Sequence, residues 1–138
     1  MMEVFVERWT KKDMELNEYF KSLVDQDETA IVICDTEHTI IYMNPVAIAN
    51  YGNRGGAALL GQSLLACHNP QSCEKIVEVV NWFAKDASHN RVHTFYNEKQ
   101  NKDVYMIALR NASGELIGYY EKHAFRTHDD SGFYEMEA

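Results

Sequence analysis

Apolar and polar positions alternate along this chain in two distinct rhythms, and the change of rhythm divides it into elements. Residues 10–24 place Leu16, Phe20 and Leu23, with Trp9 ahead of them, on one narrow side against Lys and Glu on the other. That spacing predicts a helix whose stripe is closer to a coiled-coil seam than to a broad core face. Such a helix would either pair with a second copy or fold back over its own sheet. Thr10 can cap it, with Asp13 three residues on.

Two short β-type runs follow at residues 30–35 and 39–44, joined by Thr36-Glu37-His38, a link of hairpin length. Asn44-Pro45 stops the second run, and Pro45 can open a short helix over residues 46–51 that Gly52 ends. The strongest helix start lies further on. Asn69 is a good N-cap, and Pro70 then falls where its missing N–H costs nothing. Cys73, Ile76, Val77, Val80, Phe83 and Ala84 continue at helical spacing, so the helix runs to about Lys85 with one apolar stripe.

Beyond it the period returns to two. Residues 91–96 alternate, with Val92, Thr94 and Tyr96 on one side and His93 and Phe95 on the other. Residues 103–110 form another strand, Asn111 to Gly114 make a hairpin turn, and residues 116–125 form the last strand. On that strand His123 shares a face with Ile117, Tyr119 and Phe125. The order of a helix, two strands, short helices, one long helix and three strands predicts an α+β fold, with an antiparallel sheet and helices gathered on one face. A sheet faced by short helices and loops tends to leave a pocket.

Composition narrows the functional classes. With 138 residues, 46% of them hydrophobic, the chain has material for one packed domain. A formal net charge of -8 argues against a nucleic-acid surface and against docking on anionic lipid. No apolar run approaches bilayer length, and residues 1–10 lack the features of a signal peptide, so a cytoplasmic location is expected. Three cysteines then read as thiols in a reducing compartment.

Several stretches taken together resemble the PAS domain family. Ile33-Cys34-Asp35, followed by Ile41-Tyr42-Met43-Asn44-Pro45-Val46-Ala47, is similar to the family's opening hairpin and first core helix. Leu60-Gly61-Gln62-Ser63-Leu64 resembles the step before the long helix. Arg110 to Tyr119 resembles the closing hairpin, with Asn111 where an acidic residue is common. Cys67-His68-Asn69-Pro70-Gln71-Ser72 is similar to a Cys-His-Pro-Pro-x-Ser signature of some prokaryotic PAS modules, with Asn69 replacing the first proline. The resemblance implies a five-stranded antiparallel sheet with short helices and one long helix on one face. It divides the chain into an N-terminal flanking helix (1–24), a PAS domain (25–127) and a loose acidic tail (128–138). The chain would be a stand-alone sensor, or else a piece of something longer.

The same resemblance implies a sensory, signal-transducing domain and not an enzyme. It would bind a small ligand or cofactor between sheet and long helix, and act as a homodimer or through a separate signalling protein. The residues expected around that ligand are His68, Cys67, Tyr42, Val77, His93, Phe95, Met106 and Tyr119. The cofactor is unknown. Haem is one candidate, with His68 at the helix mouth as axial ligand of a gas or redox sensor, against a plainer role for His68 as a backbone hydrogen-bonder. A ligand-free dimerisation module is another reading, and a thiol-based redox activity at Cys67 a further one. Cys67 and Cys73 do not form a zinc pattern. No P-loop, GxSxG or HExxH sequence is present. His38 and His89 fall in turns.

Overall fold

A computed structural model describes residues 11–136 of the chain. Helix α1 (Lys11–Asp25) leads into strand β1 (Val32–Asp35) and strand β2 (Ile40–Met43). Helix α2 (Pro45–Asn50) and three short 3-10 turns then bring the chain to the long helix α3 (Pro70–Lys85). Strands β3 (Arg91–Asn97), β4 (Lys102–Arg110) and β5 (Leu116–Phe125) complete one five-stranded antiparallel sheet in the order β2-β1-β5-β4-β3. The two halves of the chain therefore meet where β1 pairs with β5. Trp9 and Thr10, expected at the start of α1, lie outside the described residues.

The chain has two prolines, and both follow an asparagine at a helix start. The Asn69 side chain accepts from the backbone N–H of Ser72 at 2.8 Å. Asn44 does the same for Ala47 at 3.0 Å and goes further, because it is wholly buried. Its oxygen also accepts from Ile31 N–H at 2.9 Å, and its amide donates to the carbonyls of Val24 at 3.0 Å and Thr29 at 2.9 Å. One side chain thus satisfies the cap of α2 and pins the end of α1 to the start of β1, using its full hydrogen-bonding capacity.

The core lies between the inner face of the sheet and the helices. Cys34, Ile40, Met43, Ala47, Val80, Phe83, Met106 and Tyr119 form it. On α3 the buried face is Ile76, Val79, Val80 and Phe83, rotated from the expected stripe, and Ala84 is exposed. Phe83 is 0% exposed, a burial whose truncation to Ala typically costs about 3–5 kcal/mol. Arg110 on β4 holds the far end of this helix, donating to the carbonyls of Phe83 at 2.7 Å, Asp86 at 3.1 Å and His89 at 3.1 Å. A cation at a helix C-terminus also opposes the negative end of the macrodipole.

Two turns show why their residues are present. Asn111 takes the role expected of an acid in the closing hairpin: its oxygen accepts from Ser113 N–H at 2.9 Å and Glu115 N–H at 3.0 Å. Gly118 lies beside β1, where a Cβ would come within 2.1 Å of the Cys34 carbonyl oxygen. Only glycine lets β5 approach β1 at that point.

Strand β3 departs from simple alternation. His93 pairs with Tyr105, yet Phe95 pairs with the adjacent Val104, so the strand carries a bulge between them. The extra residue places His93 and Phe95 on opposite faces of the sheet, not on one face as the sequence pattern predicts. Phe95 turns inward beside Val104, and His93 turns outward beside Tyr105.

Candidate functional site

Inner-face residues fall into cross-strand rows. Cys34, Tyr119 and Ala108 make one row, and Phe95, Val104 and His123 another. Between them lie Val92, Met106 and Glu121. Helix α3 crosses above this middle part of the sheet. Its start is fixed by Asn69 and Pro70, and its position by Phe83 and Arg110 at the other end.

Between α3 and the sheet is an open cavity of about 580 Å³. Ser72, Ile76 and Val79 line it from the helix, Val92, Phe95 and Met106 from the sheet, and His68 and Glu121 supply polar groups. Lys75 and Glu78 stand exposed at its rim, of opposite charge. The volume falls in the range of small-molecule sites, as does a mostly apolar lining with few polar groups. A much smaller space of about 30 Å³, bordered by Val32, Tyr51, Leu64 and Tyr119, also touches His68 and Glu121.

His68 sits between the last 3-10 turn and α3. Its Nδ1–H donates to the Leu64 carbonyl at 2.9 Å. A carbonyl only accepts, so Nδ1 carries a proton, and in the neutral ring the lone pair is on Nε2. A backbone-anchored imidazole of this kind has its free nitrogen ready to accept a donor or bind a metal. Glu121 is held from its own strand: His123 Nε2 donates to Glu121 Oε1 at 2.9 Å. The His123 ring is mostly buried, and its Nδ1 has no hydrogen-bond partner among the described residues.

Of the residues expected around a ligand, His68, Phe95 and Met106 come together at the cavity. His93 borders it, but its ring belongs to the opposite face, where Nε2 lies 2.9 Å from Asp103 and the ring packs on Tyr105. Tyr119 lies deeper, against the smaller space, and shares a 2.8 Å hydrogen bond with His38 Nδ1. Cys67 borders a tight gap of about 10 Å³ beside Tyr51 and Leu59. Tyr42 and Val77 do not line the cavity. Tyr42 instead donates its hydroxyl proton to Asp25 at the end of α1.

Sequence reasoning missed Glu121. The signal was present, since it stands between Tyr119 and His123 in the alternation that puts those two on one face. It also missed His38 as more than a turn residue. His38 has a left-handed backbone (φ 68°), and burial lowers its imidazole pKa. The Cys34 thiol, beside Tyr119, is pushed up to about 12 by burial. Among the described residues no three His, Cys, Asp or Glu side chains are grouped to hold a metal ion. No described helix is long and apolar enough to cross a membrane.

Neither a family model nor a curated protein matches this chain. Solved structures do. The PAS domain of BvgS from Bordetella pertussis is similar at 16% identity and a TM-score of 0.58, over 83% of this chain and 88% of that one. A PAS domain from Colwellia psychrerythraea is similar at 16% identity and TM-score 0.59, over 80% and 96%. The Aer2 receptor of Vibrio cholerae, described as a dual PAS-heme oxygen sensor, is similar at 18% identity and TM-score 0.51, over 72% and 95%. Identities this low speak to the fold alone. This chain has the PAS fold, an antiparallel sheet in the order β2-β1-β5-β4-β3 with its helices against one face.

Proposed function

We propose that this protein is a sensory PAS domain that binds a small ligand or cofactor between α3 and the inner face of the sheet. The observation that carries this reading is the 580 Å³ cavity, apolar on both walls and supplied with two oriented polar groups, His68 and Glu121. A purely structural module would fill that space with side chains. PAS domains of this kind sense and relay; they are not catalysts, and a cytoplasmic setting suits the thiols.

The relay would run through α1. Leu16, Tyr19, Phe20 and Leu23 form an exposed apolar row on it, at 47%, 68%, 54% and 71% exposure. That spacing is a helix-pairing seam. The row is not folded over the sheet, which favours pairing with a second copy or a separate signalling protein. Asn44 connects the end of α1 to β1 and α2, and Tyr42 ties β2 to Asp25, so a shift of the ligand-bearing sheet would reach the helix through these two side chains. Ligand state would then shift the population of paired forms.

A second reading, a haem sensor, is favoured by the state of His68, whose Nδ1–H is tied to a backbone carbonyl and whose Nε2 is free. His68 would be the axial ligand, with Ile76, Val79, Val92, Phe95 and Met106 packing on the ring. Haem would supply gas binding or redox chemistry.

An absorption spectrum and a native mass spectrum of the purified protein, before and after adding haem, separate the readings. A Soret band lost in His68→Ala establishes the haem sensor. An extra small mass without a Soret band supports a different ligand. Neither signal would shift the weight to a ligand-free interaction module. Sedimentation of Phe20→Glu/Leu23→Glu tests the relay. An unaltered dimer would remove α1 from it.

A further inference from the structure

We infer that the cavity selects a molecule with an apolar ring and a hydrogen-bond-donating or cationic nitrogen, and that Glu121, positioned by His123, reads that nitrogen. The inference rests on the reading of the cavity as a ligand site and goes further, by naming the ligand's chemistry.

Most of the lone pairs and protons around the cavity are already used. His68 spends its proton on Leu64 and leaves Nε2 as an acceptor. Glu121 receives one hydrogen bond at Oε1, from His123, and an ionised carboxylate offers only further acceptance. His123, whose Nε2–H donates to Glu121, has a buried Nδ1 without a partner among the described residues. The Thr94 hydroxyl is spent on the Val104 carbonyl at 3.0 Å. His93 Nε2 is spent on Asp103. Of the charged groups at the rim, Lys75 and Glu78 offset each other. Ser72, also on the lining, can donate or accept through its hydroxyl; the other uncommitted groups inside are acceptors.

Such a set could suit a metal ion, but these groups are not clustered as one ion requires. An extended organic molecule satisfies separated acceptors where one ion does not. Ile76 and Val79 on one wall and Val92, Phe95 and Met106 on the other form an apolar slot for its body. A carboxylate or phosphate placed at Glu121 would meet like charge and find no free donor there. An ammonium or ring N–H would gain a charge-assisted hydrogen bond.

The test uses probes matched in shape and opposite in charge: tryptamine with indole-3-propionate, and benzylamine with benzoate. Their binding to the full chain is followed by ligand-observed NMR titration. Wild type should prefer the amines by about tenfold or more, the gain of one charge-assisted hydrogen bond. Glu121→Gln, nearly isosteric, should remove the preference, and Val79→Trp, which fills the slot, should abolish binding of every probe. Equal binding, a preference for the acids, or a preference that survives Glu121→Gln would overturn the inference. If probes bind in that way and Val79→Trp blocks them, the ligand site itself stands. If no probe binds wild type, the ligand-site reading fails and this inference with it. Should Glu121→Gln not fold, the wild-type preference decides alone.

Discussion

The Arg110 guanidinium reaches 27 residues back along the chain to lie 2.7 Å from the Phe83 carbonyl oxygen. Phe83 anchors α3 in the core by its ring and in the sheet by its backbone. The same guanidinium also donates to the Asn90 side chain at 2.7 Å and the Gly114 carbonyl at 3.0 Å. One planar cation therefore ties the helix end, the loop after it and the closing hairpin together. Arg110→Ala should lower stability by about 2 kcal/mol, read as a fall in the urea midpoint. Arg110→Lys should recover only part, because a point charge lacks the planar fork. Full recovery by lysine would mean that charge alone matters.

Asn44 permits a finer dissection. Asn44→Ala should cost about 3 kcal/mol, since it leaves buried donors and acceptors unmet. Asn44→Asp keeps the two accepted bonds, from Ile31 and Ala47, and loses the two donated ones. It should therefore preserve the cap of α2 and release the end of α1. Amide hydrogen exchange reads the difference. Faster exchange near residues 24–29, with α2 still protected, is the expected pattern. Equal loosening of both would show that the two ends are not separable.

Acid should act through Asp103. Arg126 donates to both its oxygens at 2.7 Å and holds its carboxyl below the usual carboxylate range, with His93 adding a lesser pull the same way. A folded-state pKa below the unfolded one means that the unfolded chain binds more protons in that window. The contribution is then complete above the unfolded value, about 4, and is lost as pH falls through the folded one. Asp103→Asn should flatten the acid limb of the stability curve and leave its neutral region less stable. Melting temperatures between pH 2.5 and 6 check this, and parallel curves for the two proteins would refute it.

Thiol chemistry should separate the cysteines. Cys34 is 1% exposed and its thiol is pushed up to about 12, so little thiolate forms at pH 8. Cys67 and Cys73 are half-buried. A disulfide reagent should modify Cys67 and Cys73 in the native protein and reach Cys34 only after unfolding, as peptide mapping by mass spectrometry would show. Native labelling of Cys34 at the rate of Cys67 would contradict the packing described.

What the sequence disclosed was local. Asn69-Pro70 announces α3, Asn111 to Gly114 announces the closing hairpin, and alternation announces the strands, because each signal lies within a few residues. His68, Phe95 and Met106 were expected at the cavity from the family resemblance and from residue type, and the fold brings these three together there. The bond between His38 and Tyr119 joins positions 81 apart, and no local pattern encodes it. The grip of Arg110 on α3 is equally remote. Tyr42 and Val77 were expected near the ligand because their types suit a pocket, but which face each presents depends on strand pairing and helix rotation, which composition does not determine.

The bulge in β3 has its own consequence for how this protein can vary. Because Thr94 stands between residues of opposite orientation, the strand is read in one frame before it and in another after it. Deleting Thr94 itself would restore plain alternation and leave Phe95 opposite Val104 and Tyr96 opposite Asp103, whereas losing one residue anywhere else in the strand would turn over every side chain on one side of the change. Side chains here can be exchanged one at a time, whereas length can change only at the bulge. Away from the bulge, the cavity-facing and outward-facing surfaces of β3 are thus bound to a common count of residues, and the first can alter without the second only by substitution.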